Sequence, residues 1–262
     1  HKGSYILVIE GAIPTADDGI YCKVAGQTSL EIVNECAADA GAIIAIGSCA
    51  SWGGIPSADP NPTGAKGAPA VLEGKTVVTI PGCPANPYNF LGVALQYATF
   101  GTLPALDDLG RPKFAYGRTI HEHCPRRAHF DAGRFARQFG DEGHRLGHCL
   151  YHLGCKGPAT YANCSVQHFN EVTDAWPIGL GHPCFGCTEE SLAFRVALHD
   201  TVDPNEILPP SLFPPIFADR GPISPMATAV GGAVVGGAIA AGVMASKKVA
   251  ENTAEAGAGE EG

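Results

Sequence analysis

The chain has 262 residues, 45% of them apolar, which is enough to bury a core and too apolar for a disordered polymer. Only 16% are charged and the formal net charge is −9; this excludes a nucleic-acid binder, which needs a basic face to neutralise phosphates. With 34 glycines, 21 prolines, ten cysteines and ten histidines, the composition is loop-rich and heavy in potential metal ligands.

In chain order, Tyr5 to Glu10 (YILVIE) is a β-branched run that predicts a buried parallel strand, turning at Gly11 and Pro14. Ser29 to Ala40 spaces Leu30, Val33 and Ala37 along one helical face, with Thr28 or Ser29 as N-cap and Gly41 as the stop. Ala42 to Ile46 (AIIAI) and Lys75 to Ile80 (KTVVTI) read as two more buried strands. Pro87 to Phe100 reads as a helix with proline in its first turn. Strands alternating with helices over residues 1–106 predict an α/β domain with a doubly wound parallel sheet. From Asp107 the β-branched runs thin out and turns multiply, so a second, irregular helix-and-loop domain is expected over 107–215.

The cysteines sort by domain. Cys49 (in GSCASWGG) follows the second strand and Cys83 (in PGCP) follows the third, and the carboxyl ends of strands are where open α/β sheets bind ligands. Both positions equally suit small buried core thiols. The second domain carries His121-x2-Cys124, Cys149-x5-Cys155, Cys164 and Cys184-x2-Cys187. A structural zinc site takes four ligands, whereas this total of seven divides into an iron–sulfur cluster held by three Cys and one His and a second held by three Cys. Disulfides give no reason for such clustering, and a chain this long needs no stapling.

These residues carry a resemblance. VIEGAIPTADDG (Val8 to Gly19), AIGSCASWGG (Ala45 to Gly54), IPGCPANP (Ile80 to Pro87), HEHCPRR (His121 to Arg127), CLYHLGCKGP (Cys149 to Pro158), NCS (Asn163 to Ser165) and GHPCFGCTE (Gly181 to Glu189) follow one another in order. The chain resembles the small, electron-transferring subunit of nickel-iron hydrogenases. The resemblance implies a flavodoxin-like first domain and three clusters. Cys49 and Cys83 would be two of the four ligands of a proximal 4Fe-4S cluster, and Cys164, Cys184 and Cys187 the ligands of a medial 3Fe-4S cluster. His121, Cys124, Cys149 and Cys155 would hold a distal 4Fe-4S cluster. Pro177 occupies the place of a fourth medial cysteine, and Cys22 and Cys36 match no ligand. Gly54 stands where oxygen-tolerant members carry an extra Cys, which implies the oxygen-sensitive type. The family's N-terminal C-x2-C is absent, so the chain is expected to lack its first strand, that loop and a twin-arginine signal. The resemblance further implies a heterodimer with a large subunit that holds the nickel-iron site, and a cytochrome b or cytochrome c acceptor. Arg126, Arg127 and Lys156 are expected either to form a basic rim where electrons leave or, with Asp131 and Glu122 close by, to be ordinary solvated charges. F420-reducing and energy-converting relatives share the first-domain cysteines but not the His121-led second domain.

At the other end, residues 222–246 are uncharged, and the 21 residues from Met226 to Ser246 would span about 31 Å as a helix, close to a bilayer core of about 30 Å. Lys247 and Lys248 follow, placing the tail on the cytoplasmic side and the cluster domains on the periplasmic side. Gly232 and Gly236 offer a small-residue face for another membrane helix. A transmembrane anchor is thus expected over 222–246 and a disordered acidic tail over 247–262; the alternative for the anchor is a flexible low-complexity segment.

Overall fold

The β-branched run near the N-terminus forms β1 (Ile6–Glu10), and a short antiparallel ribbon of β2 (Lys23–Val24) and β3 (Gln27–Thr28) follows it. A computed structural model describes residues 2–169 and 172–204. Thr28 then starts α1 (Ser29–Ala38) through a capping box. Its hydroxyl accepts from the Glu31 N–H at 3.1 Å, while the Glu31 carboxylate accepts from the Thr28 N–H at 2.8 Å, which satisfies two otherwise orphaned donors. The helix stops at Ala38, two residues short of the expected Ala40, with Asp39 as its C-cap.

The expected second strand is β4 (Ala42–Ile46), and it leads directly into α2 (Gly47–Trp52), a helix the sequence did not announce. Gly47 makes this possible: its φ of +83° turns the chain through a region that disfavours other residues. After the single turn α3 (Ala68–Val71) come β5 (Val77–Ile80) and α4 (Pro87–Phe100). Asn86 caps α4 by accepting the Tyr88 N–H at 3.0 Å, and Gly101, at φ +68°, closes its far end.

The three long strands form one parallel sheet in the order β1-β4-β5. The register pairs Glu10 with Ile46 and Ile46 with Ile80, so all three strands end level. Side chains alternate across it. Ile43, Ala45 and Val77 pack with Ala37 of α1, Ala50 of α2 and Ala68 of α3, whereas Ile44, Val78 and Ile80 pack with Val93 of α4. Both faces are therefore covered, which is why β4 and β5 read as continuous apolar runs. A fully buried Ile such as Ile44 contributes about 2 kcal/mol. β1 lies at the edge and is more open, with Val8 42% exposed.

Beyond residue 106 the described elements are short: α5 (Lys113–Tyr116), α6 (Arg127–Asp131), α7 (Glu142–Arg145) and several 3-10 turns. Their apolar residues, including Tyr116, Ile120, Leu150, Trp176 and Ile178, join the Ile44–Val93 side of the sheet in one continuous core. Cys155 and Cys184 belong to that core. The anchor expected over 222–246 and the tail over 247–262 lie outside the described residues. Among the described residues no helix is long and apolar enough to cross a membrane.

Candidate functional site

Because β4 and β5 end side by side, the segments that leave them are neighbours. The Ser48 N–H donates to the Gly82 carbonyl and the Ser48 hydroxyl accepts from the Gly82 N–H, both at 3.0 Å. The same hydroxyl donates to the Cys187 carbonyl. Cys49 sits in the first turn of α2; partial burial, reinforced by the Cys49 thiol, raises the pKa of Cys83. Gly54, at φ +52°, folds back on Cys49, where an added Cβ would lie 2.7 Å from the Cys49 Sγ, so a side chain here needs Cys49 to shift.

A second group of donors assembles from the loops after residue 117. Thr119 and Glu122 form another capping box, around a 3-10 turn spanning Ile120–His123, and His121 is buried within it. Cys149 is fixed by its backbone, donating to the Arg134 carbonyl at 3.1 Å and accepting from Ala136 at 2.9 Å. His121, Cys124, Cys149 and Cys155 line one small cavity. The His121 Nε2 is buried there with no hydrogen-bond partner, an arrangement that costs free energy unless something binds it. Burial, reinforced by Arg127, pulls the His121 pKa down to about 4, so the ring is neutral at physiological pH. Burial pushes Cys124 and Cys149 up to about 12 and raises Cys155.

Cys164, Cys184 and Cys187 line a third place, a small cavity whose wall also includes Cys83, Trp176 and Pro177. Burial raises Cys164 to about 11, Cys187 to about 12, and Cys184 well above the ordinary thiol value. A hydrogen bond from the Cys83 backbone opposes the rise at Cys187. The Cys184 N–H donates to the Cys155 Sγ at 3.4 Å, so the two cavities share a wall. The seven second-half donors thus separate into a four and a three, while Cys49 and Cys83 sit at the strand ends, Cys83 also on the wall of the three-cysteine cavity.

Among the described residues no three His, Cys, Asp or Glu side chains converge as a single metal ion requires. All ten cysteines are free. Thiols spread over the walls of apolar cavities fit a multi-iron cluster, whose own atoms fill the space between ligands.

The family formed by the C-terminal region of the NiFe/NiFeSe hydrogenase small subunit matches residues 116–199, and the NADH ubiquinone oxidoreductase 20 Kd subunit family matches residues 1–97. The Hydrogenase-2 small chain of Escherichia coli K12 is 55% identical over 221 residues, 84% of this chain and 59% of that protein. The quinone-reactive Ni/Fe-hydrogenase small chain of Wolinella succinogenes is 48% identical over 72% of this chain and 53% of its own length. The solved NiFeSe hydrogenase of Desulfomicrobium baculatum superposes with a TM-score of 0.67 at 32% identity, covering 77% of both chains. The chain belongs to the small-subunit family of nickel-iron hydrogenases. It spans less than two thirds of the length of the curated relatives it matches.

Within this hydrogenase small subunit, two of the three residues expected as a basic rim lie inside. Lys156 is fully buried, because its long side chain runs inward to backbone carbonyls. Arg127 is buried too, paired with Asp131 at 2.8 Å. Arg126 alone is partly open, and its Nη1 donates to the His148 carbonyl at 2.9 Å. Cys22 is exposed and Cys36 half-buried. Arg111 was not singled out from the sequence. It is buried, binds Asp107 at 2.7 Å and Glu189 at 2.8 Å, and reaches the Thr188 carbonyl beside Cys187. Its only sequence signal is an arginine between turn residues, which marks neither burial nor partners.

Proposed function

We propose that this small subunit relays electrons taken from H2 at the nickel-iron site of a large-subunit partner. In this reading its sheet is the flavodoxin-like frame of the family, and Cys49 and Cys83 are two of the thiolates of a proximal 4Fe-4S cluster. Cys164, Cys184 and Cys187 hold a medial 3Fe-4S cluster, Pro177 taking the place of a fourth ligand. Cys124, Cys149, Cys155 and the neutral His121 Nε2 hold a distal 4Fe-4S cluster. When bound, the clusters supply one-electron redox chemistry at potentials set by their type, charge and surroundings.

The chain's own residues do the rest. Ile120, Leu150, Trp176 and Ile178 exclude water from the two cavities, which keeps the local dielectric low. Ser48 holds the Cys49, Cys83 and Cys187 loops in register. His121, as a neutral ligand in place of a thiolate, makes its site less negative and favours it as the last in the series, where electrons leave for a cytochrome b or cytochrome c. The relatives' names support a membrane-linked acceptor, as does the uncharged stretch over 222–246 as an anchor at the periplasmic face.

The observation that carries this reading is the separation of seven donors into one cavity with all four members of one set and another with all three of the other, joined by the Cys184–Cys155 bond. Its test is Cys184→Ala in the assembled heterodimer. Loss or remodelling of the medial cluster by electron paramagnetic resonance, with slower dye-linked H2 oxidation and a loaded large subunit, is the expected result. Full activity with an intact iron count would refute it. Colour also separates this reading from a zinc or disulfide protein: absorption near 400 nm that bleaches on reduction belongs to iron–sulfur clusters alone.

A further inference from the structure

Lys156 follows Cys155 directly and is 0% exposed. Its Nζ donates only to backbone carbonyls, those of Ala197 at 2.9 Å, Leu198 at 3.2 Å, Gly154 at 3.4 Å and Asp200 at 3.5 Å. Among the described residues no carboxylate pairs with it, whereas of the other buried cations Arg111 has two and Arg127 has one. Its own N–H donates to the Cys184 carbonyl at 2.7 Å, and the Cys184 N–H returns a bond to the Cys155 Sγ. The Lys156 backbone is therefore fixed at the wall between the two cavities, and its ammonium, held by the 197–200 segment, lies within electrostatic reach of Cys184, Asp200 and Cys155. The approach is tight. A side chain at Gly154 would collide with the His199 backbone, so glycine there is what lets the carbonyl-bearing segment approach Lys156 so closely.

A buried cation without a paired anion is costly, and the anions within its electrostatic reach are the Cys184 and Cys155 cluster ligands and the Asp200 carboxylate, itself unpaired among the described residues. We propose that Lys156 is the fixed positive charge shared by the medial and distal clusters, stabilising the reduced, more negative form of each and so raising both potentials. This rests on the cluster assignment above. The cysteine motifs do not disclose it, since a lysine after Cys155 reads from sequence as a solvated charge. The groups that act on the ammonium include Cys184 and Cys155 but neither Cys49 nor Cys83, so the proximal site is not part of this effect.

The test is a redox titration of the assembled heterodimer followed by electron paramagnetic resonance, for Lys156→Met, Lys156→Gln and Lys156→Arg. The two neutral variants should lower the medial and distal midpoints, raising the oxidised-to-reduced ratio at the wild-type midpoint about tenfold, equivalent to about 59 mV for one electron. Lys156→Arg should stay near wild type, and the proximal midpoint should not move. Unchanged medial and distal potentials in fully loaded neutral variants overturn the proposal, as does an arginine variant that shifts as far as methionine. If only the arginine variant assembles, the charge is needed to hold the clusters and the proposal stands; if none of the three assembles, the role is one of shape and it falls. A wild-type heterodimer without medial and distal signals would instead sink the cluster assignment itself.

Discussion

Ser48 and Gly82 exchange two hydrogen bonds of 3.0 Å, one in each direction, between the residues that precede Cys49 and Cys83. The serine is 2% exposed, and its hydroxyl also reaches the Cys187 carbonyl. One small side chain thus ties together two strand ends and a loop 139 residues away in sequence. Ser48→Ala removes the acceptor for the buried Gly82 N–H and should cost roughly 1–3 kcal/mol, read as a lower denaturant midpoint. Ser48→Thr keeps the hydroxyl and should recover part of the loss. Equal midpoints for wild type and the alanine variant would mean that the hydroxyl is dispensable.

Arg111 carries a different kind of load. Its guanidinium side chain is 7% exposed and bridges Asp107 and Glu189, whose carboxylate also accepts the Tyr161 N–H at 2.8 Å. Removing one partner of a buried network leaves uncompensated charge, so Arg111→Met should destabilise the protein by about 3–5 kcal/mol. Lysine cannot span both carboxylates with a planar fork, and Arg111→Lys should rescue less than half of that loss. Thermal melting of the three proteins side by side decides the point.

Pro177 lines the cavity of Cys164, Cys184 and Cys187 without offering a ligand. Pro177→Cys adds a fourth thiol to that wall and should convert a three-iron cluster into a four-iron one. Chemical analysis should find one more iron per heterodimer, and the three-iron resonance should disappear. If both iron content and spectrum stay at wild type, Pro177 is not where the fourth ligand would stand.

Asp141 caps α7, accepting from the N–H groups of His144, Arg137 and Gln138. The His144 bond first, then that of Arg137, holds its pKa below the usual carboxylate value. A depressed carboxylate stabilises the fold above its unfolded pKa of about 3.9, and that contribution disappears as pH falls through the lower folded value. Asp141→Asn keeps a capping oxygen but cannot titrate. The melting temperatures of wild type and variant should therefore differ most above about pH 4 and converge in stronger acid; a gap that widens on acidification would show the sign to be wrong.

The first half of the fold was readable because its signals are local. The ends of β4 and α4 match the apolar runs Ala42–Ile46 and Pro87–Phe100 residue for residue, since a buried strand and a proline-started, glycine-stopped helix each leave a complete pattern in sequence. α2 was not readable, because GSCASW is too short for helical periodicity and its start depends on the positive φ of Gly47. The capping box at Thr119 and Glu122 has the right spacing, but no apolar run follows to draw attention to it.

Sequence alone determined which residue types are available for redox chemistry and in what order, because ligand spacing along a chain is a property of the chain. It determined the parallel strands as well, because apolar runs must be buried on both faces. Only the tertiary structure decided which donors share a cavity and that the Cys155 and Cys184 sets touch through a backbone hydrogen bond. It alone decided that Lys156 and Arg127 point inward rather than ringing an exit. Charge and spacing are local, whereas burial and convergence depend on what the rest of the chain places opposite, and in the second half that is decided by loops meeting over distances no periodicity records.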